Sequence, residues 1–260
     1  MIKLATPISH LFLHTQNARE IVMVSDCLEC RDWCIEEQHP KEELIHFDFN
    51  IIHHWPGAMK LRIRSSILSK PMLKLVTFHM AACCGAPVEI DGMFQPGGMQ
   101  YCREELLENA RVNILWIRSF LAEKTIIAVE NNNYYPTPAY DYITDGDFIA
   151  EVVEENDIKF LLDIAHARIT AHNRAINYKK YLATLPLKDT IQIHISSHRI
   201  NSARLAYDAH EFPDEGIYRE VRSLVKAYPV KYLTVEYYKD STKVVRALRR
   251  YSQLKQDINR

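Results

Sequence analysis

The sequence predicts an α/β fold, a (β/α)8 TIM barrel formed by a single domain over residues 1–260. Three observations predict this fold. Short apolar runs rich in Val, Ile, Leu and Phe recur along the chain, and most are separated by stretches with helical periodicity. No Pro- or Ser-rich linker divides the sequence. Its length is normal for one such barrel.

The predicted strands are apolar over most of their length, as parallel strands buried on both faces are. Strands that alternate with helices pair through right-handed crossovers, and eight such units close into a barrel. In chain order the predicted strands are Leu4 to Pro7, Glu20 to Val24, Glu43 to Asp48, Lys74 to Met80, Thr125 to Glu130, Lys159 to Ile164, Ile191 to Ile195 and Tyr232 to Glu236.

The helices are predicted from apolar stripes at helical spacing. Asp145 and Asp214 precede two of them and are placed to cap the first turn. A long loop is expected at Gly85 to Gly98, after the fourth strand, where loops usually shape a barrel's active site. The predicted helices are Tyr101 to Lys124, Phe148 to Asn156, Asn173 to Thr184, Glu215 to Ala227 and Ser241 to Leu254.

Composition and charge exclude several classes of protein. Lys and Arg number 32 against 33 Asp and Glu, so the net charge is −1 and no global field attracts nucleic acid or an anionic membrane. No apolar stretch is long enough to span a membrane, and no signal core follows the N-terminus. Only 7 glycines argue against a Gly-rich phosphate loop. We therefore expect a cytoplasmic protein without membrane or nucleic-acid partners.

The six cysteines do not have the pattern of a disulfide framework or of a closed zinc site. Cys27 and Cys30 have the spacing of a metal clip, and Cys34 follows, but a structural zinc ion needs four ligands and no second C-x-x-C exists. We expect buried or partly buried free thiols. For the adjacent pair Cys83 and Cys84, a thiol that lines a pocket is the alternative.

Acidic residues and histidines lie at or just after the C-terminal ends of six predicted strands. In a barrel these ends converge on one mouth, where unpaired carboxylates would repel one another. Metal ions remove that repulsion, and mixed nitrogen and oxygen ligands suit Fe, Zn or Mn. The sequence therefore predicts two or three metal ions bound by residues from the set His46, His79, Glu130, Asp163, His166, His194, His198, Asp208, His210 and Glu236.

The order of these residues resembles that in two related families of xylose-isomerase-like barrels. The series His, His, Glu, Asp-x-x-His, His, Asp-x-His, Glu is similar to that of endonuclease IV, which has a trinuclear zinc site. The surrounding sequence resembles more closely the multinuclear non-haem iron-dependent oxidative enzymes, formerly a family of unknown function. The matching motifs are Glu130-Asn131, Leu161-Leu162-Asp163, His194 to His198, Asp208-x-His210, Val235-Glu236 and the run from Tyr181 to Pro186.

The resemblance implies a role for each residue. Glu130 would bridge two metals, bringing them within about 4 Å; His46 and His79 would complete one metal, and Asp163, His194 and Glu236 the other. His166, Asp208 and His210 would hold a third, with His198 and Asn131 as supporting residues or alternatives; relatives often have Asn where this chain has His166. His53 and His54 are alternatives to His46 as the first ligand. The catalytic residues would be Glu130, Asp163 and His194.

The implied activity is that of an O2-dependent oxidase with two to three iron ions, Fe(II) or Fe(III), or zinc or manganese instead. Its substrate would be a Cys or Asp residue of a ribosomally made precursor peptide, with a separate peptide-recognition protein as a second partner. Arg168, Arg199 and Arg204 follow ligand strands and are candidates for binding a substrate carboxylate. The alternatives are a zinc phosphodiesterase, a sugar isomerase or epimerase with one divalent metal, and a non-enzymatic binding module.

Overall fold

The computed structural model describes residues 1–32, 34 and 38–258, and its centre is a closed barrel of eight parallel strands. Each strand pairs with the next along the chain, and the last pairs with the first. The predicted TIM barrel is thereby confirmed. The barrel strands are β1 (Lys3–Pro7), β2 (Cys27–Arg31), β3 (Glu42–Asn50), β4 (Leu75–His79), β7 (Ile126–Glu130), β8 (Lys159–Asp163), β9 (Thr190–Ile195) and β12 (Tyr232–Val235).

Helices surround the barrel, and two antiparallel ribbons follow β4 and β9. The ribbons pair β5 (Val88–Ile90) with β6 (Met93–Gln95), and β10 (Ser197–Ile200) with β11 (Ala206–Glu211). No helix within the described ranges combines the length and apolar character needed to cross a membrane. The helices are α1 (Thr15–Val24), α2 (Gly57–Leu68), α3 (Arg103–Arg118), α4 (Gly146–Glu155), α5 (Ile164–Asn173), α6 (Tyr178–Leu182), α7 (Glu215–Ala227) and α8 (Ser241–Ile258).

The barrel strands bury side chains on two sides, which explains their apolar sequences. Between the strands and the helices lies the main core, which includes Phe47, Phe78 and Phe160. Inside the barrel, near the N-terminal ends of the strands, a smaller cluster fills the interior. Its members are Ala5, Cys27, Leu44, Leu75, Ala128, Ile191 and Tyr232. Because this end is filled by apolar side chains, polar residues on the inward-facing positions collect towards the opposite mouth.

The predicted strand at Glu20 to Val24 is wrong, because these residues form the second half of α1. Ile21 is fully buried there, and the helix packs against α8. The second barrel strand is instead Cys27–Arg31, a segment that the sequence analysis considered only for its cysteines. Its alternation of inward and outward side chains places Cys27 in the interior cluster and Leu28 in the main core.

Other local predictions have mixed outcomes. The helix predicted over Asn173 to Thr184 is wrong, since α5 ends at Asn173 and only the short α6 follows. The predicted loop from Gly85 to Gly98 contains the β5–β6 ribbon. Asp214 caps α7 by accepting a hydrogen bond from the backbone N–H of Ile217 at 2.9 Å, as expected. The carboxylate of Asp145 does not cap α4; it is paired with Arg174 at 2.6 Å.

The six cysteines are free thiols, as predicted, and all except Cys102 are buried. The Sγ atom of Cys83 donates to the carbonyl oxygen of Pro138, 2.9 Å away. Burial raises the pKa of the Cys83 thiol to about 11. The Cys83 thiol is therefore protonated at neutral pH and structural in character.

Candidate metal centre

A cavity of about 350 Å³ opens at the mouth formed by the C-terminal ends of the strands. Its walls carry six of the ten acidic residues and histidines that the sequence predicts as metal ligands. The strand register explains this, because His79 on β4 lies opposite Glu130 on β7, and Asp163 on β8 lies opposite His194 on β9. The side chains that line the cavity include Arg31, His79, Glu130, His166, His210 and Glu236.

One side of the Glu130 carboxylate faces two histidines. Its Oε2 atom lies 3.1 Å from Nε2 of His79 and 3.4 Å from Nε2 of His46. The two Nε2 atoms are 2.5 Å apart, so they cannot both carry a proton. The Nδ1 atom of His46 is 2.7 Å from the Thr77 hydroxyl. A proton on that Nδ1 leaves the Nε2 lone pair directed at the space shared with His79 and Glu130.

The other side of Glu130 faces a second set of ligand atoms. Its Oε1 atom lies 3.1 Å from Nδ1 of His194. That same nitrogen is 3.2 Å from Oε2 of Glu236 and 4.0 Å from Oδ2 of Asp163. A third set combines Glu130 and Asp163 with His166. In each of these three groups, one ligand atom per residue can be chosen so that all lie within 4.8 Å of one another.

Several ligand atoms in these groups lack a hydrogen-bond partner among the described residues although they are buried. They are both carboxylate oxygens of Glu130, Oδ2 of Asp163 and Nδ1 of His194. Unpaired buried charges are strongly unfavourable in a protein interior. Cations between these atoms would satisfy all of them at once, so the residues present fit a metal centre with more than one ion.

On the His46 side of Glu130 the electrostatics favour the protonation states that bind metal, whereas nearby carboxylates, against the effect of burial, raise the pKa of His194 well above its usual value. Burial lowers the pKa of His46 well below its usual range, and the nearby Arg31 acts in the same direction. Burial also lowers the pKa of His79, so both rings are neutral and can accept a metal ion. Burial alone would raise the pKa of Glu130, but its interactions with His79 and His194 outweigh that effect and lower the pKa. Burial raises the pKa of Asp163 to about 7.

A further polar cluster lies on the accessible side of the cavity. Oδ2 of Asp208 is 3.4 Å from Nε2 of His166 and 3.2 Å from Nε2 of His210. The Nδ1 atom of His166 is 2.9 Å from the carbonyl oxygen of Asn131, which leaves its Nε2 directed towards Asp208. The Asn131 side chain is hydrogen bonded to both backbone groups of Asp163. Asn131 thus supports two candidate ligands without reaching the cavity itself.

The structure brings His46, and not its two alternatives, to the Glu130 carboxylate. The ring of His53 is directed at the carbonyl oxygen of Ala82, 2.7 Å from Nε2, and His54 is exposed. His198 is half-buried on β10, where its Nδ1 has no hydrogen-bond partner among the described residues, and it does not line the cavity.

The three arginines predicted to bind substrate do not line the cavity either. Arg168 is paired with Glu220 at 2.6 Å, and Arg199 is paired with Glu211 at 2.6 Å. Arg204 is exposed on the turn between β10 and β11. The guanidinium that does line the cavity belongs to Arg31. A substrate role for the other three stays a prediction.

Three residues that contact the candidate ligands were not predicted from the sequence: Glu29, Arg31 and Tyr238. Glu29 and Arg31 lie on β2, and this strand was placed seven residues too early in the sequence. A polar residue at the end of a short apolar run marks six of the predicted strands, and Cys27-Leu28-Glu29 has the same pattern in weaker form. Tyr238 follows Glu236 by two residues and donates to its Oε1 at 2.8 Å.

Comparison with known proteins gives a family match. The family model described as "RiPP precursor modification enzyme MbnB/TglH/ChrH" matches residues 65–238. A UPF0276 protein of Caulobacter vibrioides is 29% identical over 110 residues, which is 42% of this chain and 38% of that protein. A UPF0276 protein of Vibrio parahaemolyticus is 23% identical over 138 residues, 52% of this chain and 47% of that protein. The match thus spans less than half of each relative's length.

Solved structures show the same fold at low identity. The apo form of the 3-keto-D-glucoside 4-epimerase YcjR from E. coli superposes with a TM-score of 0.59 at 14% identity, covering 98% of this chain and 100% of that one. An L-ribulose 3-epimerase gives a TM-score of 0.58 at 12% identity, with coverage of 98% and 94%. These similarities show the TIM-barrel fold and nothing about the reaction.

Proposed function

Because the chain belongs to the MbnB/TglH/ChrH family of RiPP precursor modification enzymes, we propose that it is a multinuclear non-haem iron oxidase that uses O2 to modify a precursor peptide. The modified residue would be of the Cys or Asp type. The observation that carries the proposal is the buried Glu130 carboxylate. It has no hydrogen-bond partner among the described residues, and a separate set of ligand atoms lies at each of its oxygens.

Two metals would be held on either side of Glu130. His46 and His79 would complete one, and Asp163, His194 and Glu236 the other, while the cluster of His166, Asp208 and His210 would hold a third. The mixture of imidazole and carboxylate ligands suits iron, and also zinc or manganese. Bound iron would supply O2 binding and electron transfer, chemistry that amino-acid side chains do not provide.

The size of the cavity suits the side chain of one substrate residue better than the surface of a folded protein. A volume of about 350 Å³ lies at the small end of ligand sites. His210, on the accessible side, is 32% exposed, whereas His46 and His194 at the bottom are fully buried. A residue of an extended peptide could therefore enter from the His210 side and meet the cluster. We propose the precursor peptide as the partner, delivered with a separate peptide-recognition protein.

A zinc phosphodiesterase is the second candidate, and one observation favours it. His166 is directed at Asp208, which completes the ligand order of a trinuclear zinc site. The net charge of −1 argues against it, because binding a nucleic-acid backbone requires a basic surface.

The test is to purify the protein without oxygen, measure its metals by inductively coupled plasma mass spectrometry, and then add O2 while recording absorption and electron paramagnetic resonance spectra. We expect two or more iron ions per chain and spectra that change with O2. Stoichiometric zinc with cleavage of abasic DNA would contradict the oxidase and support the phosphodiesterase. Fewer than two metals per chain would contradict both.

A further inference from the structure

Strand β2 ends in two buried charged residues that belong to none of the three ligand groups. Glu29 is fully buried and Arg31 is 6% exposed. Nη2 of Arg31 lies 2.9 Å from Oε1 of Glu29. A buried ion pair contributes little net stability by itself, because both ions lose their hydration. The contacts of this pair with His194 and Glu236 indicate a different role.

Glu29 determines which nitrogen of His194 faces the cavity. Its Oε2 atom is 3.1 Å from Nε2 of His194, while Nδ1 of the same ring faces Glu130 and Glu236. A proton on Nε2, donated to Glu29, leaves the Nδ1 lone pair directed at the cluster. Metal-binding histidines generally donate their second N–H to a carboxylate in this way, which fixes the tautomer and raises ligand basicity.

A neighbouring amide holds Glu29 in position. The Gln192 side chain donates to Oε2 of Glu29 at 2.5 Å, and the same Nε2 lies 2.7 Å from the Thr234 hydroxyl. Both residues are buried inside the barrel. Glu29 is therefore anchored from strands β9 and β12 as well as from its own strand.

Arg31 contacts Glu236, which belongs to the same ligand group as His194. Its Nη2 atom donates to Oε1 of Glu236 at 2.6 Å, and Tyr238 donates to that same oxygen at 2.8 Å. With Oε1 occupied twice, Oε2 is the oxygen that faces Nδ1 of His194, 3.2 Å away. The two donors thus fix the orientation of the carboxylate.

We propose that Glu29 and Arg31 are positioning residues, which orient His194 and Glu236 for the metal held with Asp163. The inference rests on the proposed function, since it presumes that this group binds a metal. In this proposal Glu29 and Arg31 support only the metal held by Asp163, His194 and Glu236. His46, on the far side of Glu130, has its own orienting contact from Thr77.

The experiment is a competition titration of the metal-free, full-length protein with Zn²⁺ against a chromophoric chelator, which gives the number of sites and each affinity. In Glu29→Gln the shape of the side chain is kept and its charge is lost. We expect one Zn²⁺ site to weaken by about 10- to 100-fold while another keeps its wild-type affinity. Unchanged affinities in Glu29→Gln would overturn the proposal.

Glu42→Gln is the matched control. Glu42 is a buried carboxylate on the neighbouring strand and is paired with Lys70 at 2.9 Å, so its loss also leaves a buried cation. Wild-type Zn²⁺ affinities are expected in this variant. An equal weakening there would show a general loss of stability and would overturn the specific role of Glu29.

Tyr238→Phe provides a second test that removes only a hydroxyl, and it keeps the Glu236 part of the proposal testable if Glu29→Gln does not fold. We expect the same site to weaken by about threefold, the value of one hydrogen bond, and no change would overturn the role of the Glu236 contacts. Fewer than two Zn²⁺ sites in the wild-type protein would instead contradict the proposed function.

Discussion

Replacing Glu130 by Gln is the most informative perturbation of the proposed centre. The carboxylate is 2% exposed, and neither oxygen has a hydrogen-bond partner among the described residues. Gln has nearly the same shape but no charge, so the variant changes the electrostatics with little change in packing. If Glu130 bridges two metals, both should lose affinity together.

The size of the effect follows from the distances. Nε2 of His79 and Nδ1 of His194 each lie 3.1 Å from one oxygen of Glu130. Two unit charges this far apart interact by about 5 kcal/mol at an effective dielectric constant of about 20. If solvent and structural relaxation compensate for half of this energy, the metal on each side of residue 130 loses about 2.7 kcal/mol of binding free energy, or about a hundredfold in affinity. A divalent ion interacts more strongly than an imidazolium, so this is a lower bound.

The assay is metal content after equilibration with a buffered concentration of Fe(II) under nitrogen, measured for the wild type, Glu130→Gln and Glu42→Gln. We expect two fewer metals per chain in Glu130→Gln than in the wild type, and no difference in Glu42→Gln. The loss of a single metal would refute the bridging role. Wild-type occupancy in Glu130→Gln would refute the electrostatic reasoning as a whole.

Four further predictions concern protons, packing and a helix cap. Zn²⁺ affinity should fall as the pH drops below about 7, because burial raises the pKa of Asp163 to about 7 and protons then compete with the metal; a pH-independent affinity would contradict this. In the metal-free protein, the protonated Asp163 carboxyl contributes fully to stability at a pH below 3.8, its ordinary pKa. Urea unfolding should show this contribution disappearing as the pH rises to about 7, its pKa in the folded protein. Gly146→Ala should cost about 1–3 kcal/mol in urea unfolding, because its Cβ would lie 2.0 Å from the Thr184 hydroxyl, whereas Gly57→Ala meets nothing within 4 Å and should not create such a clash. Asp214→Ala should lower the free energy of unfolding by about 1 kcal/mol through loss of the α7 cap, and a wild-type value would show that the cap contributes nothing.

The candidate ligands were predictable because their positions follow from topology alone. Once parallel strands close into a barrel, residues at the C-terminal ends meet at one mouth, whatever the helices do. His79, Glu130, Asp163 and His194 all lie at or near a strand end, so an error of a few residues in a helix did not displace them. The sequence alone did not decide between His46 and His53, because it does not show the path of the chain between the two residues. In the structure His46 is inside β3, whereas His53 has turned away towards Ala82.

The residues around the ligands were not predictable, for a physical reason that β2 illustrates. A strand is recognised by its apolar residues, but the inward-facing residues of β2 are Cys27, Glu29 and Arg31, and two of these are charged. Their burial is possible only because His194, Gln192 and Glu236 arrive from β9 and from the end of β12, far along the chain. Local sequence cannot show such compensation. The apolar run at Glu20 to Val24 therefore resembled a strand more closely than the true strand did, although only Ile21 of that helix is fully buried. The same polarity that hid β2 from a pattern-based assignment is what allows it to orient ligands, because an apolar strand could offer neither a carboxylate to His194 nor a guanidinium to Glu236.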